Sequence, residues 1–400
     1  MIYLGRQSVI KPSIFELLAV CGCVSKRVLT MLPYSYVKTN DNLRQMHKDR
    51  LIRMSGHGAN KHYALLDAGK NTLTSSDSIR YPRRLFANNN TLLRDPSRTI
   101  AIGDTAAMLS MARYSIHPND KPNLPAHTTL PCDDNSWFDI YKTGGIVSPM
   151  NCYYMAAEVK RYLRNSNDKG IRYSRTCGIL FTPEYLLRVF HSRDVAFEFR
   201  GTGEKKLNSL IAKLFSGYVP KQRNALLVFG KGFLAAEKIL DGDFDEARQR
   251  IAEISKKVTI NTQNLGRPLY YRPIMPESMG LLQLMRYPGW EESLFEYVAK
   301  QIYFSYNRRT DAFYATGEDG SLLFIGIELN LTKFARMIRI LRERPNRTVN
   351  FICLDWQEDF YDFMLERYAG GEHGVNILTV EGNMVKRLNE QFEEYWGGEL

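Results

Sequence analysis

The tightest constraint on this chain lies between Pro12 and Leu66. Three short helical patterns and one hairpin pattern follow each other there with almost no spare residues. Pro12 followed by Ser13-Ile14-Phe15-Glu16 predicts a capping box, with Ser13 and Glu16 satisfying orphan amides reciprocally. Ile14, Leu17, Leu18 and Cys21 then recur at helical spacing, and Gly22 ends the run. Ser25 predicts the cap of a second helix that turns Val28, Leu29 and Leu32 inward before Pro33 closes it. Residues Thr39 to Leu51 predict a third helix, with Leu43, Met46 and His47 on one side. Asp41, Arg44, Gln45 and Lys48 recur on the opposite side at i, i+3, i+4 and i+7. Leu51–Met54, the turn Ser55–Asn60 and Lys61–Leu66 read as a β-hairpin.

Helix, helix, helix and hairpin in this order is the winged helix-turn-helix pattern. An outer face of mixed charge is ordinary for an amphipathic helix. Here, though, the stripe carries Arg44, Gln45 and Lys48, residue types that reach phosphates and base edges. Residues 1–80 hold 12 basic and 5 acidic side chains, a net of +7, out of +11 for all 400 residues. The cationic excess therefore sits where the helix-turn-helix pattern sits, as expected of a nucleic-acid binder. Arg53 and Lys61 on the hairpin are the expected phosphate contacts.

The length predicts two or three domains, and 44% hydrophobic residues supply ample core. There is no run of about 18 apolar residues, so a membrane span is not expected. The N-terminus lacks the apolar block of a signal peptide, so a cytoplasmic location is expected. The six cysteines form no CxxC pair, which argues against structural zinc and fits a reducing compartment. Phosphate-loop spacing is missing, and Gly201-Thr202-Gly203-Glu204-Lys205 is too short for one. Relaxase chemistry would want a nucleophilic Tyr beside a three-His cluster, and no HxH occurs among the seven histidines.

The chain then divides into a DNA-binding unit at 1–75, a linker at 76–136 with a connecting or dimerising helix at 99–114, and α/β units at 137–260 and 261–400. Arg80, Arg83 and Arg84 in the linker either extend the DNA contact or are simply solvated. Strands are expected at Cys177–Thr182, Tyr185–His191, Val195–Arg200 and Ala225–Phe229, and helices at Lys205–Phe215, Phe233–Leu240 and 244–256. Residues 262–288, with their Gly and Pro, read as loops. Further on come helix Glu291–Ile302, strands Asp311–Ala315 and Leu322–Leu329, and helix Lys333–Arg342. Strand Val349–Cys353, helix Glu358–Tyr368, strand Val375–Val380 and helix Asn383–Tyr395 complete the reading. Both α/β blocks follow strand–strand–helix–strand–helix, with Glu198 and Glu328 each ending a central strand, a hint of duplication that convergent α/β patterning explains equally well. The fold class expected is therefore α/β (α+β). Glu158-Val159-Lys160, within a stretch where Tyr153, Tyr154, Ala157 and Tyr162 look helical, reads as a salt-bridging helix face rather than a metal site.

YALLDAGKNTL, which closes the hairpin, and TDAFYATGEDGSLLFIGIELN from Thr310 resemble the replication-relaxation-like proteins of Gram-positive plasmids and conjugative elements. That resemblance covers the first 75 or so residues and about 50 near 311–360. It implies a PD-(D/E)XK nuclease-like last domain and an accessory role in plasmid replication, mobilisation or their control. Metal-dependent cleavage would need paired carboxylates and a Lys. Asp311 and Glu328 are the candidates, but Asn330 stands where the Lys belongs and is better suited to cap the next helix. Lys333, one turn on, is the substitute.

The leading expectation is thus a double-stranded DNA-binding accessory or regulatory protein of a mobile element, with replication or mobilisation proteins as further partners and a homodimer as one assembly. No cofactor is expected, with Mg²⁺ entering only under the alternative of a metal-dependent nuclease at Asp311 and Glu328. A winged helix that binds protein rather than DNA is a third reading.

Overall fold

The computed structural model describes residues 10–86, 96–121, 150–163, 175–192, 223–245, 262, 267–302, 305–308, 314–344, 346–369 and 374–396. Within them the chain is a mixed α/β protein with three sheets. No described helix is long and apolar enough to cross a membrane.

The N-terminal unit comprises α1 (Ile10–Cys21), β1 (Cys23–Ser25), α2 (Lys26–Leu29), α3 (Tyr36–Lys48), β2 (Ile52–Ser55), β3 (His62–Leu65) and α4 (Asp67–Ser76). Its sheet is antiparallel in the order β1-β3-β2. Ile14, Leu18, Val28, Leu29, Leu43, Met46 and Ile52 fill the core between helices and sheet. Ser25 caps α2 as expected, its hydroxyl accepting from the Val28 amide at 3.3 Å. The capping box at Ser13 does not form. Helix α1 already runs from Ile10, because Pro12 falls in its first turn, where a missing N–H is harmless. Ser13 instead pairs with the Tyr34 hydroxyl at 3.1 Å, and Glu16 is taken by Arg80. Arg80 also grips Asp120 through both terminal nitrogens, at 2.8 and 3.0 Å, so it is a structural tie and not a loose linker cation.

Helix α5 (Pro96–Met111) leads out of this unit and is tied closely to it. Gly103 lies so near β1 that a Cβ there would stand 1.6 Å from the Cys23 carbonyl oxygen. Next to it, buried Asp104 accepts the Ser25 amide at 2.7 Å. Burial outweighs that hydrogen bond and raises the Asp104 carboxyl to about 7.

Two five-stranded sheets follow. The first contains β4 (Tyr153–Met155), β5 (Gly178–Phe181), β6 (Tyr185–His191), β7 (Arg223–Gly230) and β8 (Leu269–Pro273), side by side in chain order. Helix α6 (Ala156–Leu163) follows β4 and α7 (Leu234–Phe244) follows β7. Helices α8 (Ser278–Leu284) and α9 (Trp290–Gln301) lead to the second sheet. That sheet contains β9 (Tyr306–Arg308), β10 (Ala315–Gly317), β11 (Leu322–Ile325), β12 (Val349–Leu354) and β13 (Val375–Val380), again in chain order. Helices α10 (Leu331–Glu343) and α11 (Glu358–Ala369) form its two crossovers, and α12 (Asn383–Trp396) closes the described chain.

In both sheets the first three strands pair antiparallel and the last two join in parallel. The hint of duplication in the sequence is thus matched by strand order and direction. Glu198, the elements expected at 195–200 and 205–215, and residues 246–256 of the helix expected at 244–256 lie outside the described residues. Residues 262–288 are not all loop: Leu269-Tyr270-Tyr271-Arg272-Pro273 forms β8, and Ser278–Leu284 forms α8. Most of the Gly and Pro residues that suggested loops flank or end these elements, although Gly280 lies within α8, and β8 is buried at every position, which hides any alternation. Strand β8 also carries the first sheet past residue 260. Tyr153 and Tyr154 lie on a strand, the helix starting only at Ala156. Glu158 there caps the start of α6 by accepting the Met155 amide at 2.7 Å, and it pairs with the buried Lys121 at 2.9 Å.

The two sheets meet at one seam. The Tyr271 amide donates to the Leu329 carbonyl at 2.9 Å, and Tyr270 bridges Asn330 antiparallel.

Candidate nucleic-acid interface and the buried Glu328 cluster

Helix α3 begins three residues before the expected Thr39 and ends at Lys48, with Ser35 at its N-cap position. Thr39, Asn40, Leu43 and Met46 are its buried positions, and His47 is exposed at its last turn rather than inward. The His47 ring still reaches the Ile52 carbonyl at 3.2 Å, which ties the helix end to β2. Asp41, Arg44, Gln45 and Lys48 are all exposed, as the stripe required. The Arg44 side chain is 83% exposed and sits 3.5 Å from Asp41, so nothing among the described residues of the later chain covers it. Gln45 donates to Asp49 at 2.8 Å. Both contacts are surface ones that a stronger anion can displace cheaply.

The helix is stopped by Arg50, which adopts a left-handed conformation (φ 55°) usually left to Gly or Asn. The chain then enters β2, where Ile52 points in and Arg53 out. Gly56 and Gly58 take positive φ at the hairpin tip. Gly56 has no room for a Cβ, which would sit 2.4 Å from the Asn60 carbonyl oxygen. Lys61 is half-buried, and its carbonyl accepts the Lys26 amide at 2.7 Å, joining the hairpin to α2. Residues 26–61 hold eight basic and two acidic side chains, a net of +6.

The second set of expected residues is placed differently. Asp311 lies outside the described residues. Glu328 does not end a strand: β11 stops at Ile325, and Glu328 sits in a tight turn that Leu329 completes with a left-handed φ of 50°. Every carbonyl of this turn is held by a donor. Tyr361 Oη donates to Gly326 at 2.5 Å, Gln357 Nε2 to Ile327 at 3.0 Å, Arg272 Nη1 to Glu328 at 2.6 Å, and the Tyr271 amide to Leu329. A non-glycine residue at positive φ persists only where its surroundings over-determine it, as they do here. Gly326 is obligatory, since a Cβ would meet the Phe351 ring at 2.5 Å.

The Glu328 side chain points into the seam and is 1% exposed. Lys333 Nζ lies 3.1 Å from its Oε1, an ion pair off the line that a hydrogen bond needs. The same ammonium donates to the Tyr314 hydroxyl at 2.9 Å and lies 3.7 Å from Glu291 Oε2. Glu291 in turn accepts from Tyr185 Oη at 3.1 Å and from Tyr270 Oη. Burial raises the Glu328 carboxyl to about 6, with Lys333 pulling the other way. Burial acts to lower Lys333, but Glu328 and Glu291 more than offset it and leave it raised. Asn330 does what the sequence suggested: its Oδ1 accepts the Lys333 amide at 3.2 Å and caps α10.

Glu328 and Lys333 are therefore brought together, with Glu291 as a partner the sequence reading missed. Arg272, fully buried and lowered to about 10 by that burial, was also missed. An Arg in the otherwise apolar run LYYRP was the available signal. Among the described residues the cluster offers Glu328 and Glu291 around the Lys333 ammonium; Asp311, the other carboxylate expected to hold a divalent ion, lies outside them. No group of three or more His, Cys, Asp or Glu side chains among the described residues could hold one. Comparisons of the chain with protein-family models, with curated proteins and with solved structures each found no match.

Proposed function

We propose that this protein binds double-stranded DNA through a winged helix-turn-helix, with α3 entering the major groove and the β2–β3 hairpin as the wing. The observation that carries this reading is the exposed stripe Arg44, Gln45 and Lys48 on a helix whose other face is packed. Arg and Gln offer the paired donors and acceptors that base edges need, while Lys48, Arg53 and Lys61 supply phosphate neutralisation. The family resemblance extends the reading to an accessory or regulatory role in plasmid replication, mobilisation or transcription control, with the proteins of those processes as partners. The binding needs no cofactor.

The test is a salt titration of duplex binding by the full chain. Removing one cation from a phosphate lowers the slope of log K against log salt by about 0.9. Arg44→Ala with Lys48→Ala is expected to weaken binding and flatten that slope by up to about 2. Unchanged binding would take α3 out of the interface.

The alternative, a metal-dependent nuclease using Asp311, Glu328 and Lys333, draws support from the second sheet. There β9, β10 and β11 form an antiparallel meander, α10 crosses over to parallel β12, and Glu328 lies just beyond β11. Lys333 lies 3.1 Å from Glu328, within reach of the part such a Lys would take, while Asp311 lies outside the described residues. Incubating plasmid with Mg²⁺ or Mn²⁺ separates the readings: nicking by wild type that Asp311→Ala abolishes supports the nuclease, and no nicking by either ends it.

A further inference from the structure

At the start of α3 the chain leaves two large apolar side chains in solvent, Tyr36 at 58% and Val37 at 64% exposure. Tyr36 is engaged within the chain. Lys26 Nζ donates to its hydroxyl at 3.3 Å and lies 5.3 Å from its ring centroid. Val37 joins no apolar cluster among the described residues. It precedes Asp41 by one turn, and 37, 41, 44 and 48 recur at i, i+4, i+7 and i+11, so Val37 extends the polar stripe toward the helix N-terminus.

A β-branched residue in this position contributes nothing to the fold: it buries little and is a weaker helix former than Ala by about 0.5 kcal/mol. Its surroundings limit what could cover it. Lys38, Arg44 and Lys48 are exposed on the same helix, and residues 26–61 carry a net of +6. An apolar protein surface would have to dehydrate these cations, whereas a polyanion matches them. Within the major groove the apolar feature at a base edge is the C5-methyl group of thymine. The N-terminal residues of a recognition helix are the ones that meet base edges.

We propose that Val37 is a specificity-determining residue that packs on a thymine C5-methyl group, so that the site read by α3 contains a required T·A pair at the position facing its first turn. This rests on the DNA-binding reading given above, and it deepens it from charge to base identity. The neighbouring Arg44 and Gln45 would then read base pairs further along the groove, in the order in which they follow Val37 on the helix.

Binding sites are first selected from a random duplex pool with the full chain. Each thymine of the selected site is then replaced singly by deoxyuridine, which removes only the methyl group. Wild type is expected to lose about fourfold in affinity at one thymine, the effect of exposing one apolar carbon. Val37→Ala should bind the thymine and uracil duplexes alike, while Arg44→Ala should keep the wild-type sensitivity to that methyl group. If the wild type selects a site but tolerates uracil everywhere, or if Val37→Ala stays as sensitive as wild type, the assignment of Val37 is overturned while DNA binding stands. If no duplex is enriched, and Arg44→Ala with Lys48→Ala changes nothing, the DNA-binding reading falls and the assignment with it.

Discussion

Removing Lys333 should show what the Glu328 cluster costs the fold, and it should do so in a pH-dependent way. In the native protein the Glu328 carboxyl is raised from 4.5 to about 6. The folded state therefore holds its proton more tightly than the unfolded chain. The contribution of Glu328 to stability falls as pH rises from about 4.5 to 6, by about 2 kcal/mol, and is level above that window. Lys333 is the group that keeps the shift this small, since its ammonium lies 3.1 Å from the carboxylate. Lys333→Met retains the length of the side chain and deletes the charge. At pH 8 the buried carboxylate is then left unpaired, which costs about 3–5 kcal/mol. At pH 5 Glu328 is protonated, and only the interactions with Tyr314 and Glu291 are missing, a loss of about 1–2 kcal/mol. Urea unfolding at the two pH values, followed by tryptophan fluorescence, measures the difference. Trp290 is a suitable reporter, being fully buried with its ring 5.9 Å from that of Tyr270. Adding Glu328→Gln to Lys333→Met should recover most of the loss at pH 8. A cost that is the same at both pH values, or a double variant no more stable than the single one, would refute the reasoning.

Two further predictions concern the junction between the N-terminal unit and α5. Asp104 is raised from 3.8 to about 7, so its ionisation works against the fold as pH rises from about 4 to 7. Asp104→Asn keeps an oxygen for the Ser25 amide and removes that penalty, so it should stabilise the protein at pH 8 by up to about 4 kcal/mol and flatten the pH profile of the thermal midpoint. Gly103→Ala should do the reverse, because the added carbon would fall 1.6 Å from the Cys23 carbonyl oxygen and force α5 off β1. A loss of about 3 kcal/mol in urea unfolding is expected.

Where apolar residues form a long enough run, or recur at helical spacing, the element was legible. Tyr185–His191 is the strand β6 at the boundaries expected from sequence, and α10, over the expected Lys333–Arg342, buries Phe334, Met337, Ile338 and Leu341, which recur at helical spacing. The stripe on α3 was equally legible, since Asp41, Arg44, Gln45 and Lys48 face outward whatever the helix packs on. Strand β8 was not, because it is only five residues long, carries Arg272 and is bounded by Pro268 and Pro273, which read as loop. The reach of β11 was overestimated for a different reason. Leu322–Leu329 is apolar enough to continue, and the turn at Glu328 is imposed by donors from β8 and α11 and the residues just before it.

By itself the sequence determined most of the helices and strands and which helix carries an exposed cationic face, because both depend on spacing within about a dozen residues. Tertiary structure alone decided which side chains meet. Arg80 reaches Glu16 and Asp120 across 64 and 40 residues, and Glu328 shares one ammonium with Glu291, 37 residues earlier. Such pairings are set by how whole sheets and helices stack, and no local period records them. The environment of a buried charge is likewise a property of everything packed round it, so the role of Glu328 became readable only once the two sheets were seen to share a seam.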